Sequence, residues 1–114
     1  MIRVKVFKNT TLVSFEKEES LNVKTSDAFG ARLMDILKKP FTNLILDLDK
    51  VEYVDSEGLN ALMASQRLSK MNQSQLSLFN VKEGVLKKMK KHNLDNYFFF
   101  CDRPKPFSNE LLMV

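Results

Sequence analysis

Val54-Asp55-Ser56-Glu57-Gly58-Leu59 sets two carboxylates, a hydroxyl and a glycine between a strand-like run and a helix-like run. A serine at such a junction has two chemistries open to it. It can cap the helix with its side-chain oxygen, or it can carry a phosphate where free amides and the helix dipole favour an anion. Upstream, Asn43-Leu44-Ile45-Leu46-Asp47-Leu48 is a short apolar run of the kind that forms a buried central strand. Downstream, Gly58 to Met71 is rich in Leu, Ala and Met and has no proline, which predicts a helix. Gly58 is costly there, by roughly 1 kcal/mol relative to alanine, and a glycine in a first turn leaves room for another chain to approach the backbone. At about 100° per residue, Ala61, Ala64, Leu68 and Met71 make one face that can pack on a sheet. Leu59 and Met63 fall near the opposite side, with Leu62 on the flank. A neighbouring element covers them, or they form an apolar ridge beside Ser56 that marks a protein contact.

Other chemistries find little material. His92 is the one histidine and Cys101 the one cysteine, so any nucleophile–imidazole pair has to use His92, which follows a lysine run at a predicted helix end. Three glycines supply neither a Walker-type loop nor a dinucleotide fingerprint. Asp47, Asp49, Glu52 and Asp55 cluster in sequence, but strand-end carboxylates ordinarily face solvent, and a zinc site needs more Cys and His than this. The expectation is a protein without catalytic residues, metal or cofactor.

At 114 residues, 44% hydrophobic and 28% charged, the chain reads as one domain, 1–114, able to bury a core, and not as a disordered segment. No apolar run approaches the roughly 18–20 residues that span a bilayer. Met1-Ile2-Arg3-Val4-Lys5-Val6-Phe7 alternates, unlike a signal peptide's apolar segment, and the lone cysteine forms no internal disulfide. The expected compartment is the cytoplasm, without membrane insertion. Much of the net charge of +4 comes from Lys87-Lys88-Met89-Lys90-Lys91, where Val85, Leu86 and Met89 recur at helical spacing and the lysines take the other face. That is a solvated helix, and no aromatics are interleaved there to stack on bases, so no direct nucleic-acid partner is expected.

The elements that position Ser56 follow in order. Ile2 to Phe7 and Thr11 to Phe15 read as strands joined by a Lys8-Asn9-Thr10 hairpin turn. Glu16 to Ser20 is polar. A helix begins near Thr25 or Ser26, either of which can cap it, with Phe29, Leu33, Ile36 and Leu37 on its apolar face and Pro40 closing it. After Ser56 and its helix come a strand at Leu76 to Phe79, the basic helix Lys82 to His92, a β-prone run Tyr97 to Cys101 and a short helical tail at 106–113. Alternating helices and strands after a hairpin imply an α/β fold: a mixed β-sheet of about four to five strands, helices mainly on one face, core at about 2–102.

From Ile2 to about Asp102 the chain resembles a STAS domain, as found in bacterial anti-sigma factor antagonists. The resemblance is most specific from Asn43-Leu44-Ile45-Leu46-Asp47-Leu48 through Val54-Asp55-Ser56-Glu57-Gly58-Leu59, against a family pattern of an apolar strand ending in Asp-Leu, a turn, then Asp-Ser-(Ser/Thr)-Gly-Leu opening a helix. Gln75 to Asn80 and Val81 to Leu94 are similar to the family's later strand, third helix and Gly/Asn-Leu exit. The resemblance implies a partner switch. The unphosphorylated protein binds an anti-sigma factor that is itself a serine kinase and so frees the sigma factor; phosphorylation of the serine ends binding. It implies Ser56 as phosphoacceptor and Asn22, Asp55, Ser56, Glu57, Gly58, Leu59 and Met63 as the partner-binding set. Glu57 stands where the family has a second hydroxyl, and Ser20-Leu21-Asn22 where it often has Gly-x-Leu-Asp before the first helix. Both departures also suit a STAS domain that does not switch and serves as a structural or regulatory subunit of a transport or signalling complex.

Overall fold

Residues 2–101 are described by a computed structural model. The expected tail at 106–113 lies outside them. Alternation in Ile2–Phe7 (β1) and Thr10–Phe15 (β2) yields an antiparallel hairpin with Phe7 opposite Thr10, turned by Lys8 and Asn9, with Lys8 at φ 57°. Glu19–Leu21 forms a short β3, followed by helix α1 (Ser26–Leu37), β4 (Asn43–Asp47), β5 (Val51–Val54) and helix α2 (Ser56–Met71). Strand β6 (Gln75–Phe79), helix α3 (Glu83–Lys91) and β7 (Phe99–Cys101) complete the order. The main sheet runs β1-β2-β4-β6-β7, antiparallel only at β1–β2, and β3 pairs in parallel with β5 in a second sheet.

The expected mixed sheet of about four to five strands is therefore present with five, beside two further strands that the residue pattern did not predict. Its core lies on one face. Val13, Leu44, Leu46, Leu76 and Leu78 have no exposed surface and pack in one cluster with Phe29, Leu33 and Leu37 of α1, Leu59 and Leu62 of α2, and Val85 and Met89 of α3. Ile45, on the other face of β4, lies outside that cluster. Each such buried side chain contributes on the order of 1.5–3 kcal/mol.

The helix ends follow local chemistry. Helix α2 passes through Asn72 to Gln73 at φ 56°, and α3 through His92 to Asn93 at φ 58°. In each, two amides fold back on the last turn: Gln73 N to Lys70 O at 3.3 Å and Ser74 N to Ser69 O at 2.7 Å; Asn93 N to Lys90 O at 3.0 Å and Leu94 N to Met89 O at 2.8 Å. This left-handed exit satisfies the last carbonyls. His92 is exposed at the end of α3, as expected, and Lys87, Lys90 and Lys91 are solvated while Val85 and Met89 face inward.

The inward face of α2 differs from the expected one. Leu59 and Leu62 are buried, Met71 is 73% exposed, and the rest of the stripe is Ser65, Gln66 and Ser69. Those polar groups are satisfied within the protein. Ser65 Oγ donates to Ala61 O at 2.9 Å, Ser69 Oγ to Gln66 O at 2.9 Å, and Gln66 Nε2 to Tyr97 O at 3.1 Å. A hydrogen-bonded polar group can be buried at little net cost, which is why apolar periodicity pointed to the wrong side.

Candidate functional site

The parallel pair β3–β5 builds the site. Leu21 lies opposite Val54, and each strand hands over to a helix: β3 to α1 through Asn22–Thr25, β5 to α2 through Asp55 alone. Asp55 has extended backbone, φ −94° and ψ −172°, and it caps α2. Its Oδ1 accepts the Gly58 amide at 3.0 Å, and its carbonyl accepts the Leu59 amide at 2.9 Å. Its other carboxylate oxygen accepts the amide of Val23 at 3.1 Å, and its own amide donates to Leu21 O at 2.9 Å. One residue thus ties the start of α2 to the loop before α1.

Ser56 is therefore not the cap, contrary to the structural reading of its position. A two-oxygen carboxylate one residue earlier takes that role, and Ser56 becomes the first helical residue. Ser56 and Glu57 are exposed, and the Ser56 hydroxyl hydrogen-bonds to no described residue.

Gly58 is buried, and the chain that approaches it is this chain itself. A Cβ there would lie 2.4 Å from Leu21 O and 2.8 Å from both Leu21 Cβ and Val54 Cγ1. The glycine lets β3 pack on the first turn of α2. Leu59, 4% exposed, belongs to the core, and Met63 is half-buried against it, so the ridge Leu59–Met63 does not form beside Ser56.

Asn22, half-buried, shapes the neighbouring loop. Its Oδ1 accepts the amides of Lys24 at 2.9 Å and Thr25 at 3.3 Å, and its carbonyl accepts that of Ser26 at 2.8 Å. Neither Thr25 nor Ser26 caps α1 with its side chain. Thr25 Oγ1 instead donates to Ser20 O at 2.7 Å and accepts the Asn22 amide at 3.0 Å.

Of the seven candidate contact residues, Ser56 and Glu57 face solvent, Asn22, Asp55 and Met63 are half-buried, and Gly58 and Leu59 are internal. The structure adds Val23, 67% exposed and joined to Asp55 through its amide. An apolar residue among Asn22, Lys24 and Thr25 was the available signal. Tyr53, 52% exposed on β5, carries Lys88 over its ring at 5.2 Å. Beside it Lys82 Nζ lies 3.1 Å from Glu52 Oε1, a hydrogen bond that holds the ammonium above the ordinary lysine range. Among the described residues no three His, Cys, Asp or Glu side chains gather as metal ligands, and no helix is long and apolar enough to cross a membrane.

The family model described as STAS domain matches residues 1–110. No curated protein matches the sequence. Among solved structures, an anti-sigma-factor antagonist (STAS) domain protein from Planctomyces limnophilus aligns with a TM-score of 0.78 at 16% identity, covering 91% of this chain and 92% of that one. The Bacillus cell fate determinant SpoIIAA in its phosphorylated form aligns at 0.69 and 13% identity, covering 95% and 97%. A sulfate transporter family protein from Wolinella succinogenes aligns at 0.64 and 16% identity, covering 84% and 80%. At these identities the likeness is one of fold.

Proposed function

This chain belongs to the STAS domain family, and from that premise we propose that it is an anti-sigma factor antagonist working by partner switching in the cytoplasm. Unphosphorylated, it binds an anti-sigma factor that is also a serine kinase, and so releases the sigma factor. Phosphate on Ser56 ends the binding. The observation that carries this reading is the division of labour at the start of α2: Asp55 does the capping, which leaves the neighbouring hydroxyl exposed and without a structural task.

The mechanism follows from charge. The kinase transfers the terminal phosphoryl group of ATP to Ser56 Oγ, whose proton is lost, and ADP leaves. The site gains about −1.5 to −2 charges. Asp55 and Glu57 already flank Ser56, and Asp55 already holds the Gly58 amide, so the amides of Ser56 and Glu57 are the ones that remain to face the phosphate. The fold needs no rearrangement. The partner, seated on Ser56, Glu57 and Val23, then meets a dianion where it had met the uncharged Ser56 hydroxyl. A loss of about 1.4 kcal/mol is tenfold in affinity, so a few kcal/mol suffice for release.

The deciding experiment is the intact mass of the protein from its native cells, beside that of Ser56→Ala. A single-phosphate species in the wild type and its absence in the variant, with partner binding intact, support the switch. A folded Ser56→Ala protein that fails to bind the partner overturns it. Glu57 favours a second reading, because it places a standing negative charge next to the acceptor. In that reading the domain is a constant subunit of a transport or signalling complex. An unmodified protein in a stoichiometric complex that ATP does not disturb identifies that case.

A further inference from the structure

The hairpin edge of the sheet carries a second surface that shares no residue with the one around Ser56. Strand β1 is terminal in the order β1-β2-β4-β6-β7, so the backbone groups on its outer side have no strand beside them among the described residues. Its two faces differ. Val4 stands opposite the buried Val13, so Ile2, Val4 and Val6 point to the helix side of the sheet, while Arg3 and Lys5 point away.

On the helix side β1 reaches past the cover of α1. Val4 is 40% exposed, Val6 66% and Phe41 70%, and with Ile36 and Pro40 they line an open groove of about 320 Å³. Phe41 has φ 60°, a left-handed backbone that a bulky aromatic rarely adopts. Strain of that kind persists where surrounding structure imposes it and clusters at functional positions. Here it turns an aromatic ring outward beside an unpaired strand. On the other side Lys5 lies opposite Leu12 and forms no ion pair among the described residues, and Arg3 has Glu16 at 3.6 Å.

Charged residues on an edge strand disfavour the pairing of identical edges, and Arg3 and Lys5 are such residues on β1. An antiparallel pairing of two β1 strands with their grooves on one side sets Arg3 against Lys5, or Lys5 against Lys5, and like charges directly opposite destabilise a sheet. Protection from a second copy does not account for Val6 and Phe41, which make the same edge adhesive on its other face. The occupant that satisfies both faces is an extended segment whose side chains alternate apolar and acidic. Its apolar positions enter the groove along Val4, Val6 and Phe41, its carboxylates meet Arg3 and Lys5, and its backbone completes the ladder. We infer that β1 is a docking edge for such an alternating apolar–acidic strand of a partner protein, bound by β-strand addition.

The test uses a capped six-residue peptide of alternating Glu and Val, titrated into the isotope-labelled full chain and followed by amide NMR, beside a peptide with Lys in place of Glu. The acidic peptide is expected to shift amides of residues 2–7 and 36–41, to bind about tenfold more weakly to Lys5→Glu, and to lose affinity as salt rises. Phe41→Asn, a residue suited to φ 60° and outside the sheet, weakens binding without touching the strand. Equal binding of the lysine peptide overturns the inference, as does the absence of any shift at millimolar acidic peptide. So does a wild-type dimer in sedimentation that Val6→Lys dissolves, which assigns the edge to a second copy.

Discussion

Strands β3 and β5 lie side by side and each is followed by a helix, yet the two helices start in opposite ways. The β3–α1 connection spends four residues, and its first amides close on the Asn22 carbonyl and side chain, while Thr25 Oγ1 reaches back to Ser20 O. The β5–α2 connection spends one. Asp55 alone receives the Val23, Gly58 and Leu59 amides and donates its own to Leu21 O. A long turn spreads its hydrogen bonds over several residues; a one-residue turn concentrates them in a carboxylate and leaves the next side chain idle. The contrast explains why the exposed hydroxyl of this region lies at 56 and not at 25.

The contrast breaks most readily at Gly58. An added methyl meets backbone, the Leu21 carbonyl at 2.4 Å, so β3 or α2 has to move and no flexible side-chain end can give way. Gly58→Ala is expected to lose about 3 kcal/mol or more, beyond any helix-propensity gain, measured by urea unfolding. A loss below about 1 kcal/mol would show that β3 adapts freely and that the short connection imposes no constraint.

Asp55→Ala comes next, because it removes the cap and the tether to Val23 together; the expected loss is about 2 kcal/mol. Asp55→Asn sharpens the result. Its single side-chain oxygen can keep the Gly58 amide but its NH2 cannot accept from Val23, so the variant should fall between the two and speed hydrogen exchange at Val23 alone. Thr25→Ala, in the connection that spreads its bonds, should cost about 1 kcal/mol. If Thr25→Ala proves the more damaging of the two alanine variants, the concentration of function in Asp55 is refuted.

The same contrast sorts what the residues revealed from what they hid. Strands β1, β2, β4 and β6 were legible because alternation in Ile2–Phe7 and the apolar runs around Leu44–Leu46 and Leu76–Leu78 carry a local signal. Glu19–Leu21 and Val51–Val54, three and four residues long, are too short for a period to show, and they are held as strands by pairing with each other. The junction Asp55-Ser56 was visible as strand–turn–helix, but the cap fell one residue early, since a carboxylate competes well for the same amides. The inward face of α2 was hidden by Ser65, Gln66 and Ser69, which bury polar groups through bonds that periodicity does not report.

The smallest expected effect on stability is also the most telling for function. Ser56 is exposed, is the first helical residue and bonds to no described side chain, so Ser56→Ala should alter unfolding free energy by no more than about 0.5 kcal/mol. Alanine is a good helix former and the Asp55 cap stays in place. A larger loss would mean that the hydroxyl supports the turn after all, and the observation behind its assignment as phosphoacceptor would fall. Ser56→Asp adds a third carboxylate beside Asp55 and Glu57 at the positive end of α2, where a negative charge is tolerated by the helix. The switch then requires Ser56→Asp to match wild type in urea unfolding while releasing the partner that Ser56→Ala retains. If both variants keep their stability and both retain the partner, charge at this position does not control the contact, and the constant-subunit reading takes its place.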